Sequence, residues 1–211
     1  ADIGPGDRVV TSPNTFLASA NCAAYVGAIP DFTDIDPVSY NLCPKALEAD
    51  WQPDTKAVVA VDYAGQPANL PAIAKVARDR GAVVIEDGCH GVGGGFCFNG
   101  QFCKIGCHPW ADMTTFSFHP VKTLTTGEGG MLVTNNEEYA RRARLLRSHG
   151  MERDLDRFLT FVQKRMKNGK AKIESEAPSA VFSSPSSISH LQSSICNLPS
   201  SIFSPGPWVY E

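Results

Sequence analysis

The sequence predicts a largely parallel α/β sheet with helices on both faces, a three-layer αβα arrangement. Short runs of apolar and β-branched residues alternate along the chain with segments whose apolar residues recur at helical spacing. One run, residues 57–62, is apolar almost throughout, as in a strand that is buried on both faces. Strands that alternate with helices pair in parallel, because each helix returns the chain across a face of the sheet.

The first predicted elements are a strand and the helix that follows it. Arg8 to Thr11 is a short strand, and residues 15–26 form a helix that Asn14 or Thr15 can cap and that Gly27 ends. The later elements are strands at 57–62, 83–87, 113–118 and 131–134, and helices at 70–80 and 137–147.

Composition excludes several classes of partner. The chain has 211 residues, of which 43% are hydrophobic and 19% charged, as is ordinary for a globular domain. A net charge of -3 gives no electrostatic reason to expect nucleic acid or an anionic membrane as partner. The sequence has no apolar run of membrane-spanning length and does not open with a signal peptide. We therefore expect a cytoplasmic protein.

Two titratable side chains follow predicted strands. The strand 83–87 ends in Asp87, and the strand 113–118 leads into a loop that carries Lys122. Parallel strands open their ligand crevice at their carboxyl ends, so we expect this amine and this carboxylate on one rim, with the amine partly desolvated. Glu86 is expected to point to the other face of the sheet, because strand side chains alternate.

Three motifs carry a resemblance to a known family. They are EDGCH at residues 86–90, FSFHPVK at 116–122 and TTGEGGM at 125–131, and together they resemble the DegT/DnrJ/EryC1/StrS family of pyridoxal-phosphate-dependent sugar aminotransferases. Segments 4–10 and 28–36 also fit the family. The resemblance implies the large domain of a transferase of the aspartate aminotransferase type I fold.

The resemblance also implies pyridoxal 5′-phosphate as cofactor. Lys122 would hold it covalently through its amine and would then move protons. Asp87 would keep the pyridine nitrogen of the cofactor protonated by a charge-assisted hydrogen bond. The plain alternatives are a surface lysine for Lys122 and a structural salt bridge for Asp87.

Four other residues correspond to cofactor contacts of the family. Ser117 matches a serine that binds the cofactor phosphate, although its hydroxyl could instead bond only to backbone. Phe16 matches an aromatic residue that stacks on the ring, although an ordinary core phenylalanine is the alternative. His90 matches the residue that contacts the ring hydroxyl, and Cys89 would flank the ring face.

Two residues are expected on the substrate side. His119 follows Ser117 on the same face of its strand, and Gln66 lies just beyond the strand 57–62. Segments 61–67, 111–114, 147–150 and 206–211 are similar to the family branch that makes the amino sugar of pseudaminic acid biosynthesis. The implied reaction moves an amino group, with L-glutamate as donor, to a nucleotide-linked 4-keto-6-deoxy sugar in a homodimer. The exact sugar, its aminated carbon and the donor stay open.

The chain divides into three predicted parts. Residues 1–154 are the cofactor-binding large domain, and residues 206–211 resume the family pattern. Residues 155–205 are rich in serine and proline, and we expect a disordered or foreign insertion there. Because the chain begins with alanine and family members are longer, we expect it to be incomplete at both ends, with the small C-terminal domain missing.

Three other interpretations stay open. Cys97, Cys103, Cys107 and His108 are close enough in sequence for a zinc site, but their spacing lacks paired knuckles, so free thiols and no metal are favoured. The glycines at 91–95 follow a strand, but they miss the dinucleotide-binding spacing and no helix pattern follows. A non-catalytic fragment or regulatory relative of the fold is the remaining alternative.

Overall fold

A six-stranded sheet organises the protein, whose computed structural model describes residues 1–167. Its strands, in chain order, are β1 (Arg8–Thr11), β2 (Ile29–Phe32), β3 (Thr55–Val61), β4 (Val83–Asp87), β7 (Met113–Ser117) and β8 (Gly130–Val133), and a separate hairpin is formed by β5 (Gly95–Phe98) and β6 (Gln101–Lys104). The order across the sheet is β2-β1-β3-β4-β7-β8. All neighbours are parallel except β8, which runs antiparallel to β7.

Helices lie on both faces of this sheet. The helices of residues 1–147 are α1 (Ala18–Tyr25), α2 (Pro44–Ala49), α3 (Leu70–Arg78) and α4 (Glu137–Arg147), and α5 (Leu155–Lys167) belongs to a separate unit. One core cluster joins α2 and α3 to the sheet through Leu47, Ile73 and Val58. The opposite cluster joins α1 to the sheet through Ala23 and Val59. The predicted three-layer αβα arrangement is therefore confirmed.

The apolar run of β3 explains why that strand is central. Ala57, Val58 and Ala60 have no exposed surface, and β3 pairs in parallel with both β1 and β4. A strand with helices on both faces has no solvent side, so a continuous apolar sequence is stable there. Burial of each valine stabilises the fold by roughly 1.5–3 kcal/mol.

The first helix begins later than the sequence predicts. We expected it from residue 15 with a side-chain cap, but α1 starts at Ala18 and has no capping side chain. The expected caps have other partners: Asn14 donates to the Tyr40 carbonyl and the Thr15 hydroxyl bonds to Ser19. The helix does end at Gly27, whose φ of 76° lies in the left-handed region that glycine adopts without strain.

The segment after Ser148 belongs to a second unit, which begins there and contains α5. The first 13 residues of the segment expected to be a disordered or foreign insertion form this helix. The rest of that expected insertion, and the resumed pattern at 206–211, lie outside the described residues. Among residues 1–167, no helix combines the length and apolar character that a membrane crossing requires.

A buried asparagine holds together the loops that follow β2 and β3. Asn41 is 2% exposed; its amide donates to the Gln66 carbonyl and its carbonyl accepts from the Tyr63 N–H, both at 2.8 Å. These loops contain Tyr40 and Ala64, whose positive φ angles are unusual for residues other than glycine. The two hydrogen bonds therefore offset backbone strain at this edge of the sheet.

Replacing Asn41 with alanine should destabilise the fold by about 2 kcal/mol, because the buried amide is removed and both of its partly buried hydrogen bonds, to Gln66 and Tyr63, are lost. Urea unfolding measures the loss. Asn14→Ala is the matched control, since its hydrogen bond to Tyr40 is exposed, and it should change stability by less than about 0.5 kcal/mol. Equal losses in the two variants would contradict a clamping role for Asn41.

Candidate functional site

Asp87 ends β4 at the carboxyl edge of the sheet. Its side chain is half-buried and accepts hydrogen bonds from the Ser19 hydroxyl, at 3.0 Å, and from the Cys89 N–H, at 3.2 Å. Ser19 belongs to α1, so Asp87 points to the α1 face of the sheet. Within residues 1–167 no cation pairs with this carboxylate, so the structural salt bridge is not what holds it.

Glu86 points to the opposite face, as expected from strand alternation. It has no exposed surface, and its carboxylate accepts from the Gly106 N–H and the Thr114 hydroxyl at 2.9 and 2.7 Å. His108 Nε2 lies 2.9 Å from its other oxygen. The two adjacent carboxylates therefore have different environments: Asp87 is accessible at the edge of the sheet, and Glu86 is enclosed.

Lys122 lies in the loop that connects β7 to β8. The loop folds on its own backbone: the Lys122 N–H donates to the His119 carbonyl at 2.9 Å, and the Phe118 N–H donates to the Gly129 carbonyl at 2.8 Å. The lysine is half-buried and has no ion-pair partner in the described part of the chain. The partly desolvated amine that the sequence predicts is therefore compatible with this position.

Cys89 lies beside Asp87, and the loop of Lys122 follows the neighbouring strand β7 at the same edge of the sheet. Burial, followed by the hydrogen bond and negative charge of Asp87, raises the pKa of Cys89 to about 12, and the positive charge of Lys122 acts in the opposite direction. The tertiary structure thus brings together an amine, a carboxylate and a neutral thiol from three positions of the sequence.

The remaining predicted cofactor contacts differ in exposure. Phe16 is 75% exposed, so the alternative of an ordinary core phenylalanine is wrong. His90 is exposed, and the half-buried Ser117 hydroxyl accepts only a long bond, 3.4 Å, from the His119 N–H. The described structure therefore leaves the Phe16 ring and the Ser117 O–H group available to a ligand.

The two substrate-side residues lie in the loops at the same edge. His119 is exposed and its Nε2 is 3.7 Å from Glu128. Gln66 lines an open cleft of about 400 Å³ together with Tyr40 and Tyr63. The loop of Gln66 packs against His90, because a Cβ on Gly65 would lie only 2.9 Å from the His90 carbonyl oxygen. A larger residue at position 65 would collide with this carbonyl, so the position requires glycine.

A third carboxyl group near the site was missed by sequence reasoning. Asp62 follows β3, has no exposed surface and accepts a 2.8 Å hydrogen bond from the Ala68 N–H. Burial, then the charge of Glu86, raises the pKa of Asp62 to about 8. The available signal was an acid placed directly after a continuous apolar strand. Its neutral form at pH 7 limits the negative charge beneath the site.

The cysteine and glycine segments take no metal-binding or dinucleotide-binding form. Within the described residues, no three histidine, cysteine or acidic side chains converge as metal ligands, and His108 turns to Glu86. The described thiols of the weighed cluster, those of Cys97, Cys103 and Cys107, are free. The glycines at 91–95 lead into the β5–β6 hairpin, whereas a dinucleotide-binding turn needs a following helix.

Comparison with known proteins shows the family of this chain. Residues 1–176 match the DegT/DnrJ/EryC1/StrS aminotransferase family. The chain is 46% identical to the spore coat polysaccharide biosynthesis protein SpsC of Bacillus subtilis over 72% of its length and 37% of that protein. It is 43% identical to the GDP-perosamine synthase of Caulobacter vibrioides, covering 71% of the chain and 39% of the synthase. The chain therefore belongs to the DegT/DnrJ/EryC1/StrS aminotransferase family.

Solved structures of similar sequence have the same fold. PseC of Helicobacter pylori, an aminotransferase involved in the biosynthesis of pseudaminic acid, is 34% identical with a TM-score of 0.64, over 72% of this chain and 39% of PseC. NtdA of Bacillus subtilis, with bound cofactor PMP, is 31% identical with a TM-score of 0.63, over 73% of this chain and 33% of NtdA. The chain spans about two fifths of the length of the curated relatives it matches.

Alkylation of the folded protein tests the environment of Cys89. With its pKa raised to about 12, this thiol stays protonated at pH 8, and the thiol form is a poor nucleophile. Iodoacetamide at pH 8 should modify the exposed Cys97 well before Cys89, as peptide mass spectrometry measures. Equal rates at both cysteines would contradict the assigned environment, and equal rates after urea unfolding provide the control.

Asp62→Asn tests the buried acid. Because folding raises its pKa to about 8, the folded state retains a proton that the unfolded chain loses, so Asp62 makes stability fall between about pH 4 and pH 8. Asparagine cannot ionise and should reduce this fall by on the order of 1–3 kcal/mol. Urea unfolding at pH 5 and pH 8 measures the difference in the free energy of unfolding between the two pH values. The exposed Asp79→Asn should leave the pH dependence unchanged; an identical curve for Asp62→Asn contradicts the prediction.

Proposed function

We propose that this chain supplies the cofactor-binding part of a pyridoxal-phosphate-dependent sugar aminotransferase. The observation that carries the proposal is the half-buried carboxylate of Asp87, which has no ion-pair partner within residues 1–167 and lies at the same edge of the sheet as the loop of Lys122. A half-buried carboxylate is stabilised by a cationic hydrogen-bond donor, and the protonated pyridine nitrogen of the cofactor is such a donor.

The residues present fit this cofactor in charge and shape. The Ser19 O–H and the Cys89 N–H each donate to Asp87, which orients its carboxylate. The Phe16 ring is exposed at the beginning of α1, where it can cover an aromatic ligand. The Ser117 O–H is free to donate to a phosphate oxygen. The neutral thiol of Cys89 adds no second negative charge beside the ring.

Pyridoxal phosphate, when bound, supplies an electron sink for the transfer of an amino group. Lys122 would hold it through its amine and, once released, would carry a proton between carbon atoms. Asp87 would keep the ring nitrogen protonated, and His90 would contact the ring hydroxyl. Phe16 and Cys89 would exclude water from the two faces of the ring.

The substrate we propose is a nucleotide-linked 4-keto-6-deoxy sugar, with L-glutamate as amino donor. Similarity to a GDP-perosamine synthase and to a pseudaminic acid aminotransferase supports this class, and segments 61–67 and 111–114 favour the pseudaminic acid branch. Gln66 and His119 would face the sugar, since they lie in loops at the rim of the site. We propose a homodimer in the cytoplasm, without nucleic-acid or membrane partners.

Lys122→Ala tests the anchor in a full-length protein that contains this chain. Wild type mixed with pyridoxal phosphate should develop the absorbance band of lysine-bound cofactor, and the variant should lose that band because it lacks the amine. Lys45→Ala is the matched control, because Lys45 is exposed on α2 and distant in sequence from the site. The control should keep the band.

Two outcomes would contradict the proposal. A band that persists in Lys122→Ala would exclude this lysine as the anchor. A wild-type protein that binds the cofactor but transfers no amino group to it, from L-glutamate or from any other amino donor tried, would instead support the non-catalytic relative. The second assay follows the cofactor spectrum in a single half-reaction, so it needs no sugar substrate.

A further inference from the structure

The strands that carry the two proposed anchors are joined by a short pairing. Only three residue pairs, Ile85↔Met113, Glu86↔Thr114 and Asp87↔Thr115, join β4 to β7. Five residue pairs join β3 to β4. Two more backbone hydrogen bonds flank this pairing, from the Asp112 N–H to the Val84 carbonyl and from the Gly88 N–H to the Thr115 carbonyl. Strand β7 then leads into the loop of Lys122.

A buried side-chain cluster strengthens this joint from the face opposite Asp87. The enclosed Glu86 carboxylate accepts from the Thr114 hydroxyl of β7 at 2.7 Å and from the Gly106 N–H, in the segment between β6 and β7, at 2.9 Å. His108 Nε2 is 2.9 Å from the other carboxylate oxygen. The proposed chemistry uses none of these three contacts, and all of them connect β4 to the chain segment that leads into β7.

We infer that Glu86 is a positioning residue: its carboxylate, held by Thr114, Gly106 and His108, sets the placement of the Lys122 loop relative to Asp87. The inference rests on the proposed function, because it takes Asp87 and Lys122 as the cofactor anchors. A fully buried carboxylate that loses a hydrogen-bond donor is left unsatisfied away from water, which costs free energy, so this cluster resists displacement. Groups that act on one ligand must keep their separation within a fraction of an ångström.

A matched pair of threonines separates positioning from stability. Thr114→Val removes the hydroxyl that joins β7 to Glu86. Thr11→Val removes an equally buried hydroxyl, which donates to the Val59 carbonyl at 3.0 Å and joins β1 to β3 instead. Both variants lose one buried hydrogen bond of the same sheet and gain the same methyl group. Thr114→Ser restores the hydroxyl and is the rescue variant.

The first measurement is the dissociation constant for pyridoxal phosphate, from the absorbance of the full-length protein. Thr114→Val should weaken binding by about tenfold, as expected for anchors displaced by part of an ångström, whereas Thr11→Val and Thr114→Ser stay within about twofold of wild type. Urea unfolding of the two valine variants should show similar losses of stability. Equal weakening by both valine variants, or none by Thr114→Val, would overturn the inference.

The second measurement needs no cofactor. Amide hydrogen exchange of the cofactor-free protein should be faster across residues 113–122 in Thr114→Val and unchanged there in Thr11→Val. Faster exchange with unchanged cofactor binding would show a structural role only and would overturn the positioning role. If instead Lys122→Ala retains the lysine-bound band, the proposed function itself fails, and the exchange result still reports on the joint between β4 and β7.

Discussion

The alternation of Glu86 and Asp87 across β4 is the constraint on which the candidate site depends. A strand must send successive side chains to opposite faces, so two adjacent acids cannot share one environment. Asp87 meets α1 and the open rim, and Glu86 meets the turn before β7. In the proposed function, this dipeptide would supply both a ligand for a cationic group and a buried attachment for the neighbouring strand.

The burial of acids beneath the site requires control of their charge. Asp62 and Glu86 are both fully enclosed, and two ionised carboxylates close together in a medium of low dielectric constant repel each other strongly. The pKa of Asp62, raised to about 8, means that this acid is mostly neutral at pH 7. Asp62 therefore adds little negative charge beside the enclosed Glu86.

Strands and helices with strong apolar patterns were predictable. The bounds of β1, β4 and α4 agree with the sequence prediction, because each has a clear pattern or a clear turn on either side. The short strand β2 and the short helix α2 were missed, since neither sequence has enough apolar residues for a periodic signal. The start of α1 was also misplaced, because tertiary hydrogen bonds engage both of its expected caps.

The sequence by itself determined the alternating α/β architecture, the enclosed strand β3 and the identity of the amine and carboxylate at the ends of two strands, since these follow from local pattern. Only the tertiary structure decided what surrounds them. Contacts between residues far apart in the chain decide three features of the site. Glu86 bonds to Thr114 and His108, Asp62 is mostly neutral at pH 7, and the Phe16 ring is exposed. Local pattern carries no record of such contacts, because burial and charge environment arise only when the strands pair.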